Sequence, residues 1–553
     1  MNLQPKRWAT RLLLASLVTL TGATTTSADE LALVASVAAP TGVAEIVTYD
    51  PDTNKVFTTS GTAIDVYDFG TGDNIASSSS IDLSGLFGGE LDSISSVAID
   101  PLGRGFGAAL AIPEGNTTQL GLVVFFDTTT GDVLNTIAVG YNPDMVTFTP
   151  DGVSVLIANE GEASTDPDEP LDPEGSISIV NVDGVDLAGL ADLTNGDVDT
   201  YNFAPSNMVN PDDLLPLRID PRNAFNIPAD LEPEYISVSG GKAYVGLQEN
   251  SAIAVFDLAS RKWETIHNIY GKKQVVDASD KDGINIDDEL FGLFMPDAIA
   301  TYAVGGTTYI VTANEGDARD GVEDEEIRIE DLAIAGNNGG KSSSLTVDKK
   351  TAKALNKIYG DFQAEDALGR IRVTTLDGDT DGDGDIDVLT MYGTRSFSIF
   401  NGSTGELVFD SGSDFETITA VQVPDVYNSE DNDPDEFDGR SDNKGPEPEG
   451  VAVATIGDKT YAAIGLERTG GVMLYDITDP ANAAFVQYIN SAVSDGTGAA
   501  SPEGLVWITP DKSPTGTAFL VVSYEVSGTV DVFSFTPEED ELVAPGSFRV
   551  VKK

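Results

Sequence analysis

Apolar and polar positions alternate in short runs along most of this chain, a period of two that marks half-buried strands. One run recurs seven times. It reads Ala63-Ile64-Asp65-Val66-Tyr67-Asp68, then Leu122–Asp127, Ser176–Asn181, Ala252–Asp257, Ser396–Asn401, Gly471–Asp476 and Thr529–Ser534. A second pattern precedes the copies: Pro, an acid, a variable residue, then an apolar one. It stands at Pro143-Asp144-Met145-Val146, Pro233-Glu234-Tyr235-Ile236, Pro296-Asp297-Ala298-Ile299, Pro448-Glu449-Gly450-Val451 and Pro502-Glu503-Gly504-Leu505. Ala44-Glu45-Ile46-Val47 is a looser copy, and Ile94-Ser95-Ser96-Val97 keeps the place without Pro or acid. Between the two patterns lies another apolar run that often ends in an acid, as in Leu156–Glu160 and Val311–Glu315.

Each unit therefore holds at least three short strands parted by Gly, Asp and Pro turns. Repeats of about 40–50 residues suit a four-stranded propeller blade, and a two-sheet sandwich has no need of so many similar units. The expected fold is all-β, a seven-bladed β-propeller between about Leu31 and Phe535, its N-terminal strand completing the last blade so that no sheet edge is left open. Helical periodicity is scarce, and Lys349 to Tyr359 is the best candidate. Two units carry insertions between their second and third strands. One is the acidic, Pro-rich stretch Glu160 to Ser176; the other, in the fifth blade, runs from about Gly316 to Asp387. A polar loop, Asn428 to Lys444, precedes the sixth unit. Loops inserted on a propeller face are where function tends to sit.

Charge sharpens this picture. The chain has 553 residues with 91 Asp and Glu against 31 Lys and Arg, a formal charge of −60. Such a surface repels nucleic acid and anionic membrane and attracts hard cations, above all Ca²⁺. There is no cysteine, so disulfides and thiolate metal sites are excluded. The N-terminus reads as a signal peptide over residues 1–28: basic Lys6, Arg7 and Arg11, an apolar stretch Leu12 to Leu20 too short to span a bilayer, and small residues Thr26-Ser27-Ala28. Residues 29–553 are then expected as a single propeller, secreted or otherwise extracytoplasmic, in the periplasm or at the cell surface. No second apolar span follows, and Pro545 to Lys553 shows no sorting signal.

The repeat fixes where the acids go. In a blade the first strand lines the tunnel and the second runs back antiparallel, so the start of one and the end of the other share a face. Glu45, Asp144, Glu234, Asp297, Glu449 and Glu503 start first strands; Glu160, Glu249, Glu315, Glu467 and Glu525 end second strands. All are expected around one tunnel mouth. That many carboxylates must bind protons, basic residues or metal ions. Arg319, Arg395, Arg440 and Arg468, each in or near a loop feeding that face, are the expected pairing partners, with Arg395 and Arg468 crossing the mouth itself.

The most specific local motif is Asp379-Thr380-Asp381-Gly382-Asp383-Gly384-Asp385-Ile386-Asp387, which follows the first nine positions of an EF-hand-type calcium loop. Thr390 stands where the bidentate Glu would be, and the flanks read as strands, so this is a calcium loop outside any helix–loop–helix unit. Asp379, Asp381, Asp383, Asp385 and Asp387 are the expected ligands, with Asp377 as an added ligand or a shifted register. Asp280 to Asp287 is a weaker candidate, interrupted by Lys281. The single histidine, His267, is expected at the surface or a blade edge. A His-rich zinc site is excluded, and no nucleophile elbow or P-loop is present.

Together, Asn142–Val146, Ala158–Glu162, Asp230–Ile236, Met295–Ala298, Ala313–Arg319, Thr394–Ile399 and Lys444–Gly450 resemble the choice-of-anchor I domain. That group is similar to the mesenchyme-specific cell-surface glycoproteins of biomineralising animals and to the propeller domain of some atypical cyanobacterial alkaline phosphatases. The resemblance implies an extracytoplasmic propeller, often joined to a surface anchor by a variable tail. Two functions are then open. One is a calcium-holding binding or scaffold protein with envelope or matrix partners. The other is a calcium-dependent phosphoester hydrolase of phosphatase or phytase type, with mouth carboxylates as ligands and Arg395 or Arg468 as a phosphate clamp. No catalytic residue is named by the sequence.

Overall fold

The structure is a computed structural model that describes residues 29–164, 171–214, 216–221, 225–319, 325–336, 345–494 and 496–538. The signal-peptide expectation, at residues 1–28, and the C-terminal residues 545–553 lie outside them.

Seven antiparallel meanders make the body of the molecule. Their first strands are Val47–Asp50, Val97–Ile99, Pro143–Phe148, Pro233–Ser239, Ile299–Val304, Pro448–Ile456 and Pro502–Ile508. These inner strands touch one another in chain order, and the last returns to the first, which closes a ring. Five blades are built from consecutive strands, and the fifth in chain order resumes its third strand only after a long insertion. The seventh takes Pro502–Ile508, Ala518–Tyr524 and Thr529–Thr536 and borrows the N-terminal strand Glu30–Ala38 as its outer edge. Leu31 pairs with Phe535 and Val37 with Val530 in that closure.

All seven copies of the repeated apolar run are third strands, Ala252–Asp257 and Ser396–Asn401 included. Their alternation is explained by where the core lies. Separate apolar clusters fill the gaps between neighbouring blades rather than one central mass. Trp263, Phe256 and Leu156 sit between the third and fourth blades, for example, and Phe397, Tyr475 and Ile464 between the fifth and sixth. Each sheet is thus apolar on both faces, and the Asp or Asn that ends the run turns out toward solvent.

The long insertion does fall between the second and third strands of the fifth blade, after Thr307–Asn314. It has a core of its own: Ile329, Leu332, Phe362, Leu368 and Val373 pack with Val276 and Leu290 of the hairpin Gly271–Val276/Asp288–Leu293. The expected helix forms at Lys349–Tyr359, its first turn capped by Asp348, which accepts from the amides of Lys350 and Thr351. No helix among the described residues is long and apolar enough to cross a membrane. His267 lies on an edge strand as expected, but it is 9% exposed, its Nε2 3.3 Å from the Gly402 carbonyl of the next blade.

Candidate functional site at the tunnel mouth

The Pro-acid pattern has a local structural meaning. In the third, fourth, sixth and seventh blades the pairing register slips just after the proline, between Pro143 and Val146, Pro233 and Ile236, Pro448 and Val451, and Pro502 and Leu505. Each acid sits inside this bulge. A bulge re-aims a side chain and frees the strand from strict alternation. Asp144, Asp297, Glu503 and Glu45 line a central cavity of about 390 Å³ together with Ser95, Ser96 and Tyr235. The second blade, which lost Pro and acid, contributes serines there.

The acids expected at the mouth form a connected set. Asp297, Glu315 and Glu449 offer oxygens within 4.8 Å of one another, as do Glu315, Glu447 and Glu467. Glu234 faces Glu249, Asp297, Glu160 and Asp144, and Glu503 faces Asp297, Glu467, Glu525 and Glu45. Burial is the main cause that pushes these carboxyls up, and mutual repulsion adds to it. Asp144 and Glu249 rise to about 7 and Glu467 to about 8. Glu45 also rises to about 7. Glu160, Glu234, Asp297, Glu449 and Glu503 are held well above the carboxylate range, and Glu315 is raised despite Lys444.

Compensation is uneven. Glu447, fully buried, is the exception whose carboxyl is held below its usual value: its own desolvation is outweighed by Lys444, Arg440 and Arg468. Lys444 Nζ stands 2.6 Å from Glu315 Oε1 and 3.5 Å from Glu447 Oε2, while Arg468 bonds Glu467 at 2.8 Å and reaches Asp431 at 3.0 Å. Arg319 serves the other side, donating to Asp230 at 3.0 Å. Arg218 joins it there and ties the insertion to the mouth, with Glu325 at 2.5 Å, Asp377 at 2.7 Å and the Glu249 carbonyl at 2.7 Å.

Arg395 does not cross the mouth. It is 1% exposed, with its Nη1 donating to Glu416 Oε1 and the Asp277 carbonyl, each at 2.7 Å, and its Nη2 donating to the carbonyls of Ser441 and Asn443. Its backbone φ of 54° aims the side chain under the 428–444 loop, a direction that the strand pattern of Ser396–Asn401 could not convey. Arg395 is therefore no phosphate clamp, and Lys444 takes the place expected of it. Sequence reasoning also passed over Glu447 and Glu232. Each stands two residues before a tunnel acid, in Glu447-Pro448-Glu449 and Glu232-Pro233-Glu234, and that spacing was the available signal.

In the Asp379–Asp387 loop, Asp379, Asp381 and Asp387 bring oxygens within 4.8 Å of one another, and Asp385 and Asp387 do so with the cap residue Asp348. Asp383 belongs to neither group; its Oδ1 accepts from the Asp385 amide at 3.2 Å and so points along the loop. Asp379 accepts from the amides of Gly382 and Gly384, at 2.7 and 2.9 Å, which curls the loop around it. Asp377 is not a ligand of this loop, because Arg218, Thr374 and Tyr270 hold it. In the weaker candidate, Asp280 pairs with Arg370 and Lys281 and Asp282 takes Asn285, so these acids are engaged within the protein.

With this geometry in hand, the model of the choice-of-anchor I domain matches residues 45–480. The chain belongs to the choice-of-anchor I family. Gigasin-3a of Magallana gigas is 35% identical over 200 residues, 33% of this chain and 70% of that protein. Membership of the choice-of-anchor I family suggests an extracellular or surface-anchored protein. Among solved structures, the β-propeller domain of Cps50 (Swd1) from Myceliophteria thermophila is 10% identical and aligns over 92% of this chain and all of its own, with a TM-score of 0.43. The hydrazine synthase of Kuenenia stuttgartiensis is 12% identical over 91% of this chain and 98% of its own, with a TM-score of 0.44. At these values the likeness adds nothing to the fold, which the cyclic sheet order of this choice-of-anchor I protein establishes by itself.

Proposed function

We propose that the protein is a secreted or surface-held, calcium-binding propeller that acts as a binding or scaffold protein of the cell envelope or extracellular matrix. The observation that carries this reading is the insertion loop, where Asp379, Asp381 and Asp387 gather three carboxylates at an exposed turn of alternating Asp and Gly. Hard oxygen donors in that spacing suit Ca²⁺, with water and backbone carbonyls completing the shell. The family, the formal charge of −60 and the absence of a catalytic histidine constellation point the same way. The hydrolase alternative loses Arg395 as a clamp, since its guanidinium is committed to Glu416.

The test is thermal unfolding of the full chain with Ca²⁺ or with EGTA. An ion held by the folded state alone stabilises it by about 2.7 kcal/mol at a hundredfold excess over Kd. Ca²⁺ should raise the wild-type Tm, and the Asp379→Asn/Asp381→Asn variant should lose a measurable part of that rise. Equal calcium effects in the two proteins would refute a role for this loop.

A further inference from the structure

The tunnel mouth holds two adjoining acidic groups that share Glu315 but differ in one respect. The group with Glu447 and Glu467 contains protein cations, Lys444, Arg440 and Arg468. The group with Asp297 and Glu449 has none of its own, because Lys444 contacts Glu315, Asp317 and Glu447. A second observation sets this half apart. The Oε2 atoms of Glu449, Glu234 and Glu249 are shut off from solvent and have no hydrogen-bond partner. Glu234 is 7% and Glu249 6% exposed, and Glu234 faces Asp297 across the lumen. A buried carboxylate oxygen without a donor is costly, and Glu449, which has one, shares its group with Asp297 and Glu315, so a positive charge among these three would offset that cost.

We propose that one hard divalent cation of the Ca²⁺ class binds inside the mouth between Asp297, Glu315 and Glu449, with Glu234 beside it. Three carboxylates from the fifth and sixth blades would supply its protein ligands, and the central cavity that Asp297 also lines would supply waters from that side. Glu315 can serve both neighbours, since each carboxylate oxygen has two acceptor sites: Oε1 takes Lys444 and Oε2 takes Gln248 at 3.0 Å. The ion would do on this side what Lys444 and the arginines do on the other. It would also place an exchangeable Lewis acid on the axis of an extracellular propeller, where an anionic group of a partner could complete its coordination.

This site is independent of the Asp379 loop, so its test uses the loop-disabled full chain, Asp379→Asn/Asp381→Asn, stripped of metal with EGTA. Calorimetric titration with CaCl₂ at pH 8 should show about one remaining equivalent, and Ca²⁺ should still raise the Tm. Adding Glu449→Gln should weaken that binding by roughly tenfold or more. In EGTA the same substitution should leave the Tm unchanged or higher, because its amide gives Glu467 a donor. Asp297→Asn is the second variant, should Glu449→Gln not fold. Absence of calcium binding in the loop-disabled chain, or equal affinity after Glu449→Gln, would overturn the proposal, and protons alone would then neutralise the ring. Failure of the loop reading looks different: wild type and loop-disabled chain would bind alike.

Discussion

Raising the pH should destabilise the metal-free protein between about pH 4 and 8, the reverse of the usual gain as carboxylates ionise. Asp144 is the cleanest case, since burial alone pushes its carboxyl from 3.8 to about 7. The folded state then holds a proton that the unfolded chain releases. Stability from this group is complete below the unfolded value and is lost as pH rises through the folded one. Three units at about 1.4 kcal/mol each give about 4 kcal/mol for Asp144, an upper bound because the tunnel admits some water. Glu45, raised to about 7, acts with the same sign. The coupled ring titrates as a set, so single-site values do not add. With about 2.1 cal/mol/K of unfolding entropy per residue, a cooperative transition of this chain moves by about 1 °C per kcal/mol. Only part of that span, about 2.6 kcal/mol, falls between pH 5 and pH 8, so circular-dichroism melts in EGTA should show Tm falling over this range, with Asp144 accounting for up to about 3 °C. Asp144→Asn should shallow the slope and raise Tm at pH 8. Acids held low, such as Asp29 and Glu447, lose their contribution only below their ordinary values, outside this window. A Tm that is flat or rises from pH 5 to 8 in EGTA, or a steeper slope in Asp144→Asn, would refute the reasoning.

Arg395→Ala should cost about 3–5 kcal/mol in urea unfolding, because it leaves Glu416, 1% exposed, as an uncompensated buried charge. The Arg395→Ala, Glu416→Gln double variant should recover much of that loss. Trp263→Ala should cost about 3–5 kcal/mol, since the indole is fully buried against Phe203 at 4.3 Å and Phe256 at 5.1 Å. Trp263→Phe keeps most of the packing and should lose about 1 kcal/mol, through the bond from Nε1 to the Asn202 carbonyl.

Rotational repetition is why so much was legible. Equivalent strands meet equivalent neighbours, so the same alternation returns at every third strand, and the acids after the prolines must surround one axis. What escaped depended on contacts far apart in sequence or on single backbone angles. Arg218 joins Asp377 across 159 residues, and no local pattern marks that pairing. The loop that carries Arg395 feeds the mouth, but a left-handed φ turns the side chain elsewhere. Lys444 lay in a motif already in view, but its reach to Glu315 depends on how the 428–444 loop folds back. In the Asp379–Asp387 loop, spacing gave the carboxylates, while local amide bonds decided that Asp379, Asp381 and Asp387 gather and Asp383 does not.

The borrowed strand of the seventh blade sets an order of assembly. Among the described strands Glu30–Ala38 leaves the ribosome first, yet its partner Thr529–Thr536 comes last. Until then its ladder to the seventh blade cannot form, although Leu31 has a match, bonded to Gln487 and packed on the sixth blade. Contacts spanning nearly the whole sequence form slowly and leave edges open while they wait. The ring is therefore made whole in a single late step, and a chain cut short just before Thr529 would carry six whole blades, two strands of the seventh and a loose N-terminal strand that a second copy could pair with. Both described ends meet at this seam, where the Glu538 amide donates to Asp29 at 2.6 Å. The two described ends therefore lie together on the outer strand of the seventh blade, at the rim and away from the tunnel axis.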